Sequence, residues 1–300
     1  MTDNNTEKFR IVGIKHAKSA ASPQKSVKKN SMRFNPAAVI VLAVIILGCV
    51  FCEFIMTKDP TYMDLASANA APCREFLFGT DTMGRDIFSM IWYGGRVSLF
   101  IGAVSTLITT VIAVVYGTLC GIAPKAVDAV MMRLLEIMLS IPSLPLTILL
   151  QAVLGEPNVL SISIVIGLTG WMSIASVVRT EVKQLRSSEY IIAAKSMGGG
   201  FFYILKQHLA PNFAASIMFM VVMNIRSAIA AESTMSFMGI GLPLEIISWG
   251  SMLSLAEKAL LTDAWWIIFI PGAFLAATML SITSIGDSLR KDVSRKHSNI

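Results

Sequence analysis

Six long apolar segments, separated by polar or basic stretches, constrain this chain more than any other feature of its sequence. They cover about residues 37–56, 97–122, 130–153, 159–178, 213–238 and 264–285. Each is close to the roughly 20 residues that an α-helix needs to cross the hydrocarbon core of a bilayer. The segments therefore predict an all-α, polytopic membrane protein with six transmembrane helices.

The composition supports this class. Of the 300 residues, 54% are hydrophobic and 15% are charged, whereas a soluble domain carries about a quarter charged residues. We divide the chain into a basic tail, a first transmembrane helix with an outer loop, a core with five transmembrane helices, and a C-terminal tail. The predicted boundaries are 1–33, 34–96, 97–291 and 292–300.

The distribution of lysine and arginine predicts the orientation of the chain. The N-terminal tail, the 123–133 turn, the 179–210 segment and the C-terminal tail hold 19 of the 25 basic residues. Basic loops stay in the cytoplasm, so both termini and the 179–210 segment are expected to be cytosolic, and the polar loop over 58–96 faces outward. Anionic lipid is a sufficient partner for the net charge of +6, so no nucleic-acid partner is predicted.

No combination of residues predicts catalysis, a cofactor or a metal site. Cys49 and Cys52 form a C-x-x-C spacing, which can be a redox or metal motif. Both lie inside an apolar segment, where a free cysteine packs as a small hydrophobic residue. The three glycines at 198–200 are not a phosphate-binding loop, since no G-K-[ST] follows them.

A polar insert, "EYIIAAKSMGGGFFYILKQHLAPN", covers residues 189–212 between two apolar segments. It predicts a helix over about 187–197, a break at the glycines, a second helix over 201–209, and a return to the membrane at Pro211. Ala193 and Ala194 keep the first helix narrow, so that another protein can approach it closely. Two interpretations stay open: an ordinary interfacial loop, or a docking surface for a soluble partner.

Arg226 and Glu232 are charged residues within the fifth apolar segment. Charges are costly in lipid and usually face a cavity or a partner. Because they are six residues apart, they point to different sides of one helix and are not expected to pair. Both are candidates for the lining of a translocation pathway, where Arg226 attracts an anionic group. The alternative is a structural charge pair between subunits.

Pro142 and Pro145, in "SIPSLP", are expected to bend or break the third segment. Such a break lines the cavity of some transporters; the alternative is a kink that serves packing alone. Arg133 and Glu136, at the start of the same segment, are predicted to pair as helix neighbours.

Aromatic and charged residues near the segment ends predict contacts with the membrane interface. Trp265 and Trp266 fit an anchor at the outer interface, and Trp249 is expected at the same level. Glu53, near the outer end of the first segment, is expected to reach the interface.

The insert resembles the EAA loop of ATP-binding-cassette importer permeases, with matches from Glu189 to Asn212. In that family this pair of helices with a glycine break, which we call the elbow (about residues 187–209 here), is a coupling helix that fits a groove of the ATPase subunit. The ATPase-coupling residues that the resemblance implies are Glu189, Ala193, Ala194, Lys195, Gly198, Ile204, His208 and Pro211. Ile192 departs from the family, which often has an acidic residue there, and favours a more hydrophobic contact.

Further motifs resemble the C-type permease of dipeptide, oligopeptide and nickel importers, over roughly residues 34–291. They are "FGTDTMGRDIFS", "VMMRLLEIMLSIPSLPL", "ESTMSFMGIGL" followed by "SWGSML", "WWIIFIPG" and "GDSLRK". Two departures are Glu136, where the family commonly has Asp, and the lack of the usual Asp-Pro near the end.

The resemblance implies that this chain forms half of a translocation pathway in a bacterial cytoplasmic membrane. The implied partners are a sister permease in a heterodimer, two ATPase subunits that carry out ATP hydrolysis, and an extracytoplasmic substrate-binding protein. Short peptides are the favoured cargo, because the peptide branch of the family is the larger one; nickel or a metal chelate is the alternative.

Two other functional classes have less support from the sequence. A membrane scaffold would recruit soluble proteins through the elbow without transport. A secondary transporter would show inverted repeats and ionisable residues in both halves, whereas the charges here concentrate in the fifth segment.

Overall fold

The computed structural model describes residues 35–186, 188, 196–198, 200, 203, 210–259 and 263–297. Its α-helices are α1 (Pro36–Val50), α2 (Cys52–Ile55), α3 (Ile87–Ile122), α4 (Lys125–Ser140), α5 (Ser143–Leu154), α6 (Val159–Arg186), α7 (Ala210–Phe237), α8 (Trp249–Ala259) and α9 (Trp266–His297). A short 3-10 helix covers Leu65–Ser67. These residues form no β-strand, only an isolated bridge between Thr80 and Asp86. The prediction of an all-α protein is confirmed.

Four of these helices, α3, α6, α7 and α9, are long and apolar enough to cross a membrane. Helices α4 and α5 pass the same test as a pair that is bent by 92°, which is the geometry of a broken span or of a re-entrant loop. Helix α1 is apolar but has only 15 residues, so it rises roughly 22 Å in a hydrocarbon core of about 30 Å. Helix α2 continues it after Phe51. Each predicted segment is therefore helical, and the chain is a polytopic membrane protein.

Helix α3 begins at Ile87, not near residue 97 as predicted, so the preceding loop ends at Asp86. The Asp86 carboxylate caps the helix by accepting from the Ser89 amide at 3.0 Å. The polar and glycine-rich start of α3 reads as a loop in the sequence. In the structure a Cβ on Gly95 would lie 2.5 Å from Cys49 Sγ. The glycine therefore serves close packing between α1 and α3.

The loop between α2 and α3 has a compact fold of its own. Arg85 Nε lies 2.8 Å from Asp81 Oδ2, and both side chains are at most 3% exposed. Asp81 also accepts hydrogen bonds from the backbone amides of Met83 and Arg85. At Gly84 φ is +74°, and a Cβ there would lie 1.8 Å from the Asp64 carbonyl oxygen. The motif "FGTDTMGRDIFS" therefore specifies a tight turn built around a buried ion pair.

The stretch "SWGSML" forms the start of helix α8. Ser248 and Ser251 cap this helix reciprocally: each backbone amide donates to the other's hydroxyl, at 2.8 and 3.0 Å. Trp249 is fully buried and donates from Nε1 to the Ile91 carbonyl at 3.0 Å. The ring packs in a core cluster with residues of α1, α3 and α9, and its expected level at the membrane interface stays a prediction.

The neighbouring pair of tryptophans divides between the interior and the surface. Trp266 is 8% exposed and donates from Nε1 to the Thr80 carbonyl at 3.1 Å, which fastens the start of α9 to the loop. Trp265 is 57% exposed, so it alone of the two presents a large surface for an interface.

Small residues hold α3 against α6 along most of their length. A Cβ on Gly117 would lie 2.6 Å from the Ala175 carbonyl oxygen. Ser105 Oγ donates to the Ser163 carbonyl at 3.0 Å. Close approach at small residues with hydroxyl groups between helices is typical of packing in membranes. We call the end of the bundle with residues 56–86 the loop end, and the end where α6 stops and α7 starts the elbow end.

Candidate translocation surface

The break between α4 and α5 creates the space for the candidate site. Helix α4 ends at Ser140, and Pro142 has an extended backbone with ψ 131° before α5 begins at Ser143. Pro145 lies in the first turn of α5, where a missing N–H costs no helical hydrogen bond. The predicted break of the third span is therefore present, and its 92° bend turns α5 away from α4.

The first cavity lies beside this break and has a volume of about 490 Å³. Helices α4, α6 and α7 and the break itself form its walls. Its lining residues are Met138, Leu139, Ile141, Pro142, Ser143, Thr169, Gly170, Met172, Ser173, Ile174, Phe219, Met220, Met223, Asn224 and Ser227.

A second cavity, of about 290 Å³, continues from the first and shares five lining residues with it. The shared residues are Ser143, Thr169, Gly170, Asn224 and Ser227. A third cavity, of about 600 Å³, lies at the loop end around residues 236–244. The three cavities therefore follow α7 from Phe219 to its end at Phe237, a rise of roughly 27 Å. This length is close to the hydrocarbon thickness of a bilayer, about 30 Å.

Polar side chains line the middle of this surface. Thr147 Oγ1 and Thr169 Oγ1 lie 3.1 Å apart between α5 and α6. Asn224 Nδ2 donates to Thr106 Oγ1 at 3.2 Å, which leaves its amide oxygen near Gly170, where it would lie 3.3 Å from an added Cβ. A helix surface that faces lipid would gain no stability from such polar side chains. We call the surface formed by the three cavities along α7 the α7 groove.

Arg226 lies in the second cavity of the α7 groove. Its side chain is partly exposed, but Nε is enclosed and has no hydrogen-bond partner. No ion pair within the described part of the chain includes Arg226. The cation of α7 is therefore directed at the cavity without a counter-ion from the described residues.

Glu232 lies on another side of α7, in the interior of the bundle, with no exposed surface. Its carboxylate accepts from the hydroxyls of Ser248 at 2.7 Å, Ser236 at 3.0 Å and Ser98 at 3.2 Å, and from Ser233 at 3.3 Å. These contacts join α7 to α3 and α8. The structure thus does not bring Glu232 together with Arg226, and Glu232 contacts the α7 groove through Ser236, which lines the third cavity.

Most of the predicted ATPase-coupling residues, namely Glu189, Ala193, Ala194, Lys195, Ile204 and His208, lie outside the described residues. Gly198 is exposed with φ +83° and has open space around the position of a Cβ. Only glycine adopts this conformation readily, as a break in the elbow requires. Pro211 is the second residue of α7, where the first turn tolerates proline.

An ion-pair cluster at the elbow end escaped the sequence-based predictions. Asp128, in the first turn of α4, accepts from Arg179 Nε at 2.5 Å, from Arg179 Nη2 at 2.7 Å and from Lys183 Nζ at 2.5 Å. Arg186 donates to the Ile122 carbonyl at 2.9 Å. These contacts fasten the last turns of α6 to α3 and α4. The sequence shows an acidic residue near the start of one helix and basic residues near the end of another. It does not show that these residues pair.

Other charged residues form simple pairs. Arg133 and Glu136 pair at 2.8 Å on the exposed face of α4, as predicted. Glu53 is 70% exposed and pairs with Arg96 at 3.1 Å, and its contact with the membrane interface stays a prediction. Among the described residues no group of three or more His, Cys, Asp or Glu side chains is arranged to hold a metal ion.

Comparisons with known proteins agree with this architecture. Residues 113–297 match the family described as the binding-protein-dependent transport system inner membrane component. The chain is 33% identical over 270 residues to the dipeptide transport system permease protein of Bacillus subtilis. The aligned region covers 90% of this chain and 83% of that protein. It is 34% identical over 258 residues to the oligopeptide transport system permease protein of the same organism, and the aligned region covers 86% of this chain and 84% of that protein.

The two relatives match most of the chain, and the family match includes the elbow and the residues of α7. The resemblance to permeases of peptide importers is thereby confirmed. This chain belongs to the family of binding-protein-dependent transport system inner membrane components.

Proposed function

We propose that this chain is a permease subunit of an ATP-driven importer for short peptides and that its α7 groove forms half of the translocation pathway. The observation that supports this most directly is the series of cavities along α7, which matches a bilayer in length and has polar groups at its centre. The peptide cargo follows the names of the two Bacillus subtilis relatives.

A second permease subunit completes the pathway in this proposal. The groove opens towards the surface of the bundle, and the exposed residues Ser227 and Thr234 lie along it. A polar surface with a cation is costly against lipid, so a protein surface of similar character is needed opposite. A sister permease in a heterodimer supplies that surface.

ATP hydrolysis takes place in two separate ATPase subunits, which dock on the elbow between α6 and α7. Both helices line the groove, and Asp128 joins the end of α6 to α4. Movement of the elbow is therefore expected to reach the α4–α5 break through rigid elements. The proposed coupling residues remain those implied by the resemblance, with Gly198 at the break between the two elbow helices.

The loop end faces outward and receives an extracytoplasmic substrate-binding protein, whereas both termini and the elbow are cytosolic. The concentration of basic residues in the N-terminal tail, at the elbow and in the C-terminal tail supports this orientation. The compact loop between α2 and α3 supplies a folded outer surface. The chain is then a multi-pass protein of the bacterial cytoplasmic membrane.

Uptake into vesicles tests this function. Vesicles would contain this chain with its sister permease, the ATPases and the binding protein, and labelled short peptides would be offered beside free and chelated nickel. We expect ATP-dependent uptake of peptide alone. Peptide uptake that is absent although the complex assembles and its ATPases are active would contradict the proposal.

Two matched glycine variants test the coupling. Gly198 and Gly155 both have positive φ, +83° and +89°, and open space around them, but Gly155 lies between α5 and α6 at the loop end. Proline cannot adopt this φ, so both variants strain the backbone similarly. We expect Gly198→Pro to abolish peptide uptake in an assembled complex and Gly155→Pro to retain most of it. Equal uptake by the two variants would rule out coupling through the elbow.

A further inference from the structure

Arg226 is a cation within a membrane-spanning helix whose charge the described residues do not balance. Arg226 lines a cavity of about 290 Å³, and no ion pair among the described residues includes it. A cation within a membrane span is usually paired or functional. The position therefore indicates an anionic group that enters the cavity.

The chain offers no suitable carboxylate among its described residues. Glu232 is the other charged residue of this span, but it lies six residues further along α7, roughly 9 Å in rise and on another side of the helix. Hydroxyls of Ser98, Ser236 and Ser248 already occupy its carboxylate. The counter-ion of Arg226 therefore comes from outside these residues.

The surroundings of Arg226 fit a peptide better than a bare anion. Asn224 and Thr169 line both the cavity of Arg226 and the adjoining one. Asn224 donates to Thr106, so its amide oxygen remains available to accept, and the Thr169 hydroxyl retains acceptor capacity. A cation for a carboxylate thus lies beside acceptors for peptide N–H groups.

We propose that Arg226 binds the C-terminal carboxylate of the peptide as it passes along the α7 groove. This inference rests on the proposed function and names the group of the cargo that is recognised. Arginine is suited to this role, because its planar donors match a carboxylate with two parallel hydrogen bonds. The α-carboxylate is ionised at neutral pH and is common to all unmodified peptides, so the contact is independent of peptide sequence.

The test compares labelled trialanine with its C-terminal amide in vesicles that contain the complete complex. The variants are Arg226→Gln, Arg226→Lys and, as a control, Arg133→Gln, which removes an exposed cation of α4 outside the groove. Each uptake rate is divided by the wild-type rate for the same peptide, so any preference of the binding protein cancels. Co-purification of the sister permease reports assembly.

We expect Arg226→Gln to lower trialanine uptake at least about tenfold, because the ion pair with the carboxylate is lost, and to leave uptake of the amide unchanged. Arg226→Lys is expected to restore part of the uptake, and Arg133→Gln to affect neither cargo. Equal losses for both peptides, or no loss for either, would overturn the inference. So would failure of Arg226→Gln alone to assemble, because it would assign the counter-ion to the sister subunit.

The proposed function fails separately from this inference. If the wild-type complex takes up neither trialanine nor its amide although it assembles and hydrolyses ATP, the peptide cargo itself is wrong. If it takes up both and the Arg226 variants do not discriminate between them, only the role of Arg226 is wrong.

Discussion

At the scale of single residues, the two charges of α7 have opposite environments. Arg226 faces a cavity, whereas the Glu232 carboxylate is enclosed by four serine hydroxyls drawn from α3, α7 and the start of α8. A Cβ on Gly250 would lie 3.0 Å from Glu232 Oε1, so the site has no spare room on that side. Glu232 therefore holds three helices in register behind the groove.

Replacing Glu232 by alanine is expected to destabilise the assembled permease. The serine hydroxyls would lose their common acceptor in the interior, which lowers the free energy of unfolding by about 2–3 kcal/mol. Thermal unfolding of the purified complex measures this change. Glu245→Ala, which removes an exposed glutamate, is the control and should change it by less than about 0.5 kcal/mol. Equal effects of both variants would refute the role of Glu232.

At the scale of helices, α4, α6 and the α4–α5 break form one connected unit. The Asp128 carboxylate is 7% exposed and is held by Arg179 and Lys183 at the last turns of α6. The opposite end of α4 leads into Pro142 and the first cavity. The cluster therefore lies between the elbow and the lining of the groove.

Two substitutions in α4 separate this cluster from an ordinary surface pair. Asp128→Asn should reduce stability by at least about 2 kcal/mol, because it leaves Arg179 without its partner in a mostly enclosed site. Glu136→Gln breaks the exposed pair with Arg133 and should stay within about 0.5 kcal/mol. Thermal unfolding and peptide uptake per ATP hydrolysed would be measured for both. If Asp128→Asn altered neither quantity, the cluster would have no role in stability or coupling.

At the scale of the whole molecule, exposed positions on different helices are expected to meet different surroundings. Ser227 on α7 is exposed in the groove, whereas Leu280 on α9 is 70% exposed in an apolar span. In the proposed assembly, water and cargo reach the first position and lipid covers the second.

Cysteine labelling distinguishes the two surfaces. In a Cys73→Ser background, which removes the exposed native cysteine, Ser227→Cys should react with a charged thiol reagent in the assembled complex. Saturating peptide should slow this reaction at least about tenfold if bound peptide occupies the groove for nine-tenths of the time. Leu280→Cys should stay unmodified, as measured by mass spectrometry. Reaction at Leu280→Cys but not at Ser227→Cys would place lipid in the groove.

Sequence patterns were sufficient for the helical class, the approximate spans and the break at Pro142, because these depend on local properties. Long apolar runs in lipid can satisfy their backbone only as helices, and a proline in the interior of a helix favours a kink or a break there. The elbow and the loop motifs also identified the family, since their residues lie close together in the chain.

Contacts between segments that are distant in the chain determined the features that the sequence patterns did not predict. Helix α3 starts at Ile87, where Asp86 caps it, and Gly95 lets α1 pack closely against it. Trp249 is buried among residues of α1, α3 and α9. The sequence predicted that Arg226 and Glu232 lie on different sides of one helix. It did not show which of these sides faces a cavity. That assignment requires the serines of α3 and α8 on one side and the open break between α4 and α5 on the other. A pattern along one segment carries no information about the segments that pack against it.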